Sequence, residues 1–142
     1  MNFRISTKGH NDIIDITEKV EQAVKQAGVK NGQVLVFVAH QTCAITTLEY
    51  EPGLIQDLKE LIAKIVPANK DYQHNQAWGD GNGAAHLLAA LFKPDLTLPI
   101  ANGQLIRGTW QQIILIDFDN RPRDREIIID ILENKKEKEA VH

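Results

Sequence analysis

Hydrophobic spacing along the chain switches between two periods. Phe3 to Ser6 alternates weakly like a strand, and Ile13 to Ile16 is a second short apolar stretch. Val20, Ala23, Val24 and Ala27 then recur at i, i+3, i+4 and i+7, one face of a helix, with Thr17 placed as its N-cap and Gly28 as its terminating glycine. Val34-Leu35-Val36-Phe37-Val38 has no polar interruption, which predicts a strand buried on both faces. Ala44 to Leu48 predicts another strand, and Glu51-Pro52-Gly53 a turn after it. Leu54, Leu58, Leu61, Ile62 and Ile65 trace a second helical stripe that Pro67 stops. Residues 68–83 show neither period, and a third helix is predicted from about Gly83 to Phe92, capped by Asn82 or Asp80.

Beyond Pro94 the pattern is strand-like. Asn102-Gly103, between Leu98-Pro99-Ile100 and Leu105-Ile106, is a type I′ hairpin signal. Gln111 to Phe118 holds the most apolar run of the chain, Asn120 to Asp124 predicts a turn, and Glu126 to Leu132 a last strand. These elements predict an α+β fold with two mainly antiparallel β-sheets and about three helices. Residues 1–142 read as a single domain, with 133–142 as a charged, solvated tail.

Composition narrows the function. With 142 residues, 43% of them hydrophobic, the chain can bury a core without a disulfide or structural metal, so any metal would serve function. Sixteen Lys plus Arg against 19 Asp plus Glu give a net charge of −3, which offers no electrostatic reason to bind nucleic acid. Cys43 is the one cysteine and cannot form an intrachain disulfide, which favours a reducing compartment. The amino terminus lacks the apolar core of a secretory signal, and no stretch reaches the ~18 apolar residues of a membrane span. A cytoplasmic protein with no membrane partner is expected.

Three constellations carry chemistry. His40 ends the Val34–Val38 strand, where a rigid element can aim it into a cleft; the alternative is a histidine satisfied at a sheet edge. Asp80-Gly81-Asn82-Gly83-Ala84-Ala85-His86 is a polar turn feeding a helix, whose first amides and dipole favour an anion such as phosphate. Asp80 would repel that anion unless a cation bridges them. Asp80, His86, His74 and His40 together form a nitrogen and oxygen set suited to a divalent metal, without the spacing of a regular metal motif. The alternative is a plain loop and cap, with His86 packed beside Leu87. Third, Arg121-Pro122-Arg123-Asp124-Arg125 follows Asp117 and Asp119, a set fitted either to gripping an anion or to internal salt bridges. Trp110 is suited to stacking a flat heterocycle, or to core or interface packing. Strand geometry points Cys43 away from His40, against a Cys/His nucleophile.

Taken in order, His40-Gln41-Thr42-Cys43-Ala44, Glu49, Asp57, His74, Asp80 through Leu87, Pro99-Ile100, Gly103, Gly108-Thr109-Trp110-Gln111 and Asp117-Phe118-Asp119 into Arg121–Arg125 resemble the YjbQ family, described as secondary thiamine-phosphate synthase enzymes. The resemblance runs from about residue 10 to 130. Departures fall at Gln41-Thr42, at Leu48 and at the Asp119-Asn120-Arg121-Pro122-Arg123 turn.

The resemblance implies a homotrimer of α+β subunits with a polar pocket near the subunit boundaries, holding His40, His74, Asp80, Asn82, His86 and Arg123. It implies His40, His86 and Asp80 as catalytic groups, and His40, His74, His86 and Asp80 as ligands of a divalent metal, Zn or Mg. Asn82, Gly83, Thr42, Glu49, Arg123 and Trp110 would contact a small phosphorylated substrate. The implied activity joins an aminopyrimidine diphosphate to a thiazole phosphate with loss of pyrophosphate. The alternative is a trimeric protein that binds a metabolite or metal without catalysis.

Overall fold

A computed structural model describes residues 1–136. Two antiparallel sheets are stacked, and helices cover the second. The outer sheet has five strands in the order β1 (Asn2–Thr7), β8 (Arg123–Glu133), β3 (Gly32–Val38), β5 (Asp95–Ala101), β6 (Gln104–Leu105). The inner sheet has three, in the order β2 (Asp12–Asp15), β7 (Gln112–Asp117), β4 (Cys43–Leu48). The helices are α1 (Thr17–Ala27), α2 (Pro52–Ile65), α3 (Gln73–Trp78) and α4 (Gly83–Phe92). The α+β class and the two antiparallel sheets are as expected, with four helices where three were predicted. The predicted tail is partly strand, since Glu133 ends β8 and the Asn134 N–H donates to the Asn31 carbonyl. Its residues 137–142 lie outside the described residues.

Two cores account for this stacking. Between the sheets, Val34, Val36 and Val38 of β3 and Ile127 and Ile129 of β8 meet Cys43 and Ile45 of β4 and Ile113 and Leu115 of β7, with α1 closing one side through Ile16, Val20 and Val24. Behind the inner sheet, Ala44, Ile114 and Ile116 pack on Ile62 of α2, on Ala85, Leu88 and Ala89 of α4, and on Phe118. The strand buried on both faces is therefore β7, whose Ile113 to Ile116 are all fully buried. The equivalent expectation for β3 is corrected: Leu35 and Phe37 are only half-buried, because none of the described residues covers the outer face of the five-stranded sheet.

Other boundaries shift for local reasons. Thr17 is the first residue of α1 rather than its cap, and its hydroxyl accepts from the Ile113 N–H at 2.8 Å, tying helix to inner sheet. Gly28 ends α1 in the left-handed conformation, as predicted. Glu51-Pro52-Gly53 begins α2 instead of forming a separate turn: Pro52 supplies a ready-made first helical residue, and the Glu51 carboxylate accepts from the Gly53 and Leu54 amides at 2.8 and 2.7 Å. Asn102 and Gly103 both have positive φ, as a type I′ hairpin requires. β8 starts three residues before the predicted strand, so Arg123 and Arg125 belong to a strand and share one face.

Candidate functional site

Where β7 leaves the inner sheet and β8 enters the outer one, the apolar layer between the sheets gives way to charge. The two-residue strand period places Asp117 beyond Leu115 on the surface that faces the outer sheet, and it places Arg125 and Arg123 opposite, beside Ile5 and Thr7 of β1. The result is a ladder of two rungs. In the inner rung Arg125 Nε donates to Asp117 Oδ2 at 2.8 Å and Nη2 to Asp117 Oδ1 at 3.1 Å, with the arginine 6% and the aspartate 0% exposed in their side chains. In the outer rung Arg123 Nε donates to Asp119 Oδ2 at 2.9 Å, and the arginine side chain stays 32% exposed.

Hydroxyls and amides satisfy the remaining lone pairs. Thr7 donates to Asp117 at 2.5 Å, and Thr42 accepts from Arg125 Nη2 at 2.8 Å while donating to Asp119 at 3.3 Å. The Asn120 N–H and the Asn82 amide reach Asp119 Oδ1 at 2.8 and 3.4 Å. Burial pushes the Asp119 carboxyl up, but these donors and the Arg123 guanidinium outweigh it and hold its pKa below the ordinary 3.8. Burial likewise disfavours the charged Arg125, and its bonds to Asp117 more than compensate. Thr42, expected to contact substrate, thus has its hydroxyl committed to the ladder.

Outside the outer rung lies a polar cleft of about 390 Å³ lined by Asp80, Asn82, Asn120, Arg121 and Arg123. Its wall is held by Asn120, whose side-chain amide donates to the Asp80 carbonyl at 2.8 Å. Arg121 is exposed and makes no ion pair among the described residues. Asn82, the residue preceding α4, is 7% exposed, and its Oδ1 is buried without a hydrogen-bond partner.

His74 of α3 and His86 of α4 meet beside this turn, ring centroids 4.4 Å apart and tilted by 39°. Burial, then the proximity of His74, lowers the His86 pKa below 6.5, while Asp80 and Asp119 act weakly against it. His40 stands toward the inner rung: burial, then Arg125, lowers its pKa as well. Burial and Asp117 push the Cys43 thiol up to about 12, which makes it an inert core side chain.

The predicted residues are thereby sorted by place. His40, Thr42, His74, Asp80, Asn82, His86 and Arg123 gather at the ladder end of the inner sheet. Glu49 and Trp110 do not join them. Leu48 pairs with Gln112 and Cys43 with Asp117, so Glu49 and Trp110 sit beyond the opposite end of β7, about 17 Å along the strand. Gly83 does not offer its amide to an anion, because that N–H already donates to Asn75 Oδ1 at 2.8 Å. The four expected metal ligands are not assembled by one chain either: among the described residues no group of three or more His, Cys, Asp or Glu is arranged to hold an ion.

Asn75 and Asn120 were missed in the sequence because single asparagines in polar loops carry no period. The Gly9-His10-Asn11 bend was missed as well. All three of its residues have positive φ, and a Cβ at Gly9 would stand 2.6 Å from the Arg121 carbonyl, so the β1–β2 connection presses against the ladder turn.

A mixed α+β protein of two antiparallel sheets, with a charged cleft at the sheet crossover, is the class this geometry defines. The chain belongs to the YjbQ-like UPF0047 protein family, whose model matches residues 1–134. It is 39% identical to a UPF0047 protein of Archaeoglobus fulgidus over 132 residues, 93% of this chain and 100% of that one. It is 30% identical to the UPF0047 protein YugU of Bacillus subtilis, covering 92% and 96%. Among solved structures, a YbjQ-like protein of unknown function from Sulfolobus solfataricus P2 superposes with a TM-score of 0.90 at 37% identity, over 94% of this chain and 96% of that chain. A YjbQ/UPF0047 family protein from Clostridium acetobutylicum gives 0.85 at 34% identity, over 93% and 99%. No helix among the described residues is long and apolar enough to cross a membrane.

Proposed function

We propose that this protein is an enzyme acting on a small phosphorylated heterocyclic molecule, with thiamine-phosphate formation as the activity to assay. The observation that carries the reading is Arg123: its Nε is fixed by Asp119, its Nη groups have no partner among the described residues, and it lines an open cleft beside Arg121. A guanidinium held by one edge presents its remaining donors to a phosphate at low entropic cost. His86, whose pKa burial and His74 lower, is available as hydrogen-bond donor or proton acceptor within the electrostatic reach of Asp80, which lines the cleft, and of Asp119. In the assayed reaction the methylene–oxygen bond of the pyrimidine diphosphate breaks, its electron pair leaves with pyrophosphate, and the methylene carbon bonds to the thiazole nitrogen.

A divalent metal fits this reading only in part. His74 and His86 are suitable nitrogen donors, and His74 Nδ1 is buried without a partner, but further ligands would have to come from substrate phosphates or a neighbouring copy. Such an ion would neutralise phosphate charge. The homotrimer belongs to the same proposal: Trp78, Leu87, Leu91, Leu61 and Ile65 are half or more exposed on α2, α3 and α4, apolar surface that association would cover.

Turnover of the two thiamine precursors, with and without divalent metal, tests the proposal. Product from the wild type and at least a tenfold loss in Arg123→Ala and His86→Ala are expected; equal rates for wild type and His86→Ala overturn it. One observation favours metabolite binding without catalysis: neither His74 nor His86 has a hydrogen-bonding side chain to orient its ring among the described residues, as a catalytic imidazole commonly has. On that reading phosphorylated metabolites raise the melting temperature and no product forms.

A further inference from the structure

On the other side of Asn82 and Asn120 from the polar cleft lies a second cavity, of about 190 Å³, between α2 and α4. Its floor is apolar: Ile62 of α2, Val66 just past the end of that helix, Leu88 of α4, and Phe118. Ala63, Ala68, Ala84 and Ala85 add small apolar side chains, and His10 and Asn11 of the β1–β2 bend and Gly81 form its polar margin. It opens to solvent past the exposed Ala63 and Ala68, which leaves its apolar floor wetted unless a ligand covers it. An engineered apolar cavity of about 150 Å³ takes up benzene, so this one is large enough for a single ring.

Asn82 and Asn120 line both cavities, so the two adjoin along this pair, with Asn120 exposed at their common rim. The Asn82 amide orientation is fixed by chemistry. Asp119 is ionised and can only accept, so Nδ2 faces it, and Oδ1 is left as a buried acceptor with no donor. A buried carbonyl oxygen without a partner is costly unless something supplies an N–H or O–H.

We infer that the two cavities form one bipartite site for an amphipathic anion: a phosphate against Arg123 and Arg121, a hydrogen-bond donor at Asn82 Oδ1, and a compact apolar ring between α2 and α4. This rests on the phosphate reading above and adds what the non-phosphate part of the ligand must be. It also assigns Ala63 and Leu88 to ligand selection, roles the sequence did not suggest.

Calorimetry with inorganic phosphate and with phenyl phosphate tests it on the wild type, Ala63→Phe and Arg123→Ala. Ala63 is exposed on α2, so Phe can fill the cavity from its mouth without overpacking the core. Burying one ring should make phenyl phosphate bind roughly tenfold to a hundredfold tighter than phosphate. Ala63→Phe should erase that preference while leaving phosphate affinity unchanged, and Arg123→Ala should weaken both ligands. Equal binding of the two ligands by the wild type, or a preference that survives Ala63→Phe, overturns the bipartite site and leaves the phosphate reading standing. Failure of both ligands to bind overturns both.

Discussion

The two rungs of the arginine–aspartate ladder are built from the same residue types, two positions apart along the chain, and they do different work. Arg125 and Asp117 are sealed between the sheets, with both carboxylate oxygens and two guanidinium nitrogens engaged. Arg123 and Asp119 lie one step outward, where a single Nε bond anchors an arginine that still reaches water and the cleft. Depth alone separates them. A buried pair holds the sheets in register and is costly to break; a half-exposed pair contributes little to stability but holds a cation ready for a ligand.

Arg125→Ala therefore has the largest expected effect, a loss of about 3–5 kcal/mol in urea unfolding, because it strands Asp117 as a buried, uncompensated charge. Replacing both partners by similarly sized apolar residues, Arg125→Met with Asp117→Leu, should recover most of that loss. A double variant as unstable as the single one would show that the inner rung does more than bridge the sheets.

Acid should act next, on the outer rung. The folded-state pKa of Asp119 lies below its ordinary 3.8, so its contribution is fully present above that pH and is lost as pH falls through the folded value. Asp119→Asn should remove this acid-sensitive component while lowering stability at neutral pH. The two should converge in strong acid; a wild type no more stable than the variant at neutral pH, or one whose stability falls no more steeply as pH drops through 4, would contradict the ion pairing.

This ladder was half legible in the sequence. Asp-x-Asp followed by Arg-x-Arg has the two-residue period of strands, but the predicted turn at residues 120–124 hid it by placing Arg123 outside a strand. The apolar runs misled in a related way. Val34–Val38 and Ile113–Ile116 read alike, yet burial on both faces depends on whether helices pack behind the sheet, a tertiary fact that neither run encodes. His74, Asp80, Asn82 and His86 were found because a polar turn at a helix start is a local signal. The competition of Asn75 for the Gly83 amide was not, since it joins residues from two different helices.

Arg123→Ala should cost only about 1 kcal/mol of stability, since the Asp119 carboxylate keeps the Asn120 N–H and an Arg125 Nη2 bond at 3.3 Å. Its phosphate affinity should fall at least tenfold. A stability loss matching that of Arg125→Ala would abolish the distinction between the rungs. Smaller still is the pH response of His86. Its lowered pKa means that the unfolded chain takes up the proton first, so stability declines as pH drops just below 6.5, and His86→Ala should flatten that decline.

Trp110 offers the finest test of where the site ends. It is 67% exposed beyond the end of β7 remote from the ladder, and none of its neighbours lines the polar cleft. Trp110→Ala should change stability by no more than about 0.5 kcal/mol and leave phosphate affinity as it is, because an exposed aromatic remote from a ligand contributes to neither. Calorimetry over a range of protein concentrations makes the comparison decisive. A weakened phosphate affinity that depends on protein concentration would mean that Trp110 of one copy closes the cleft of another, so that the two ends of the inner sheet meet only in the assembly.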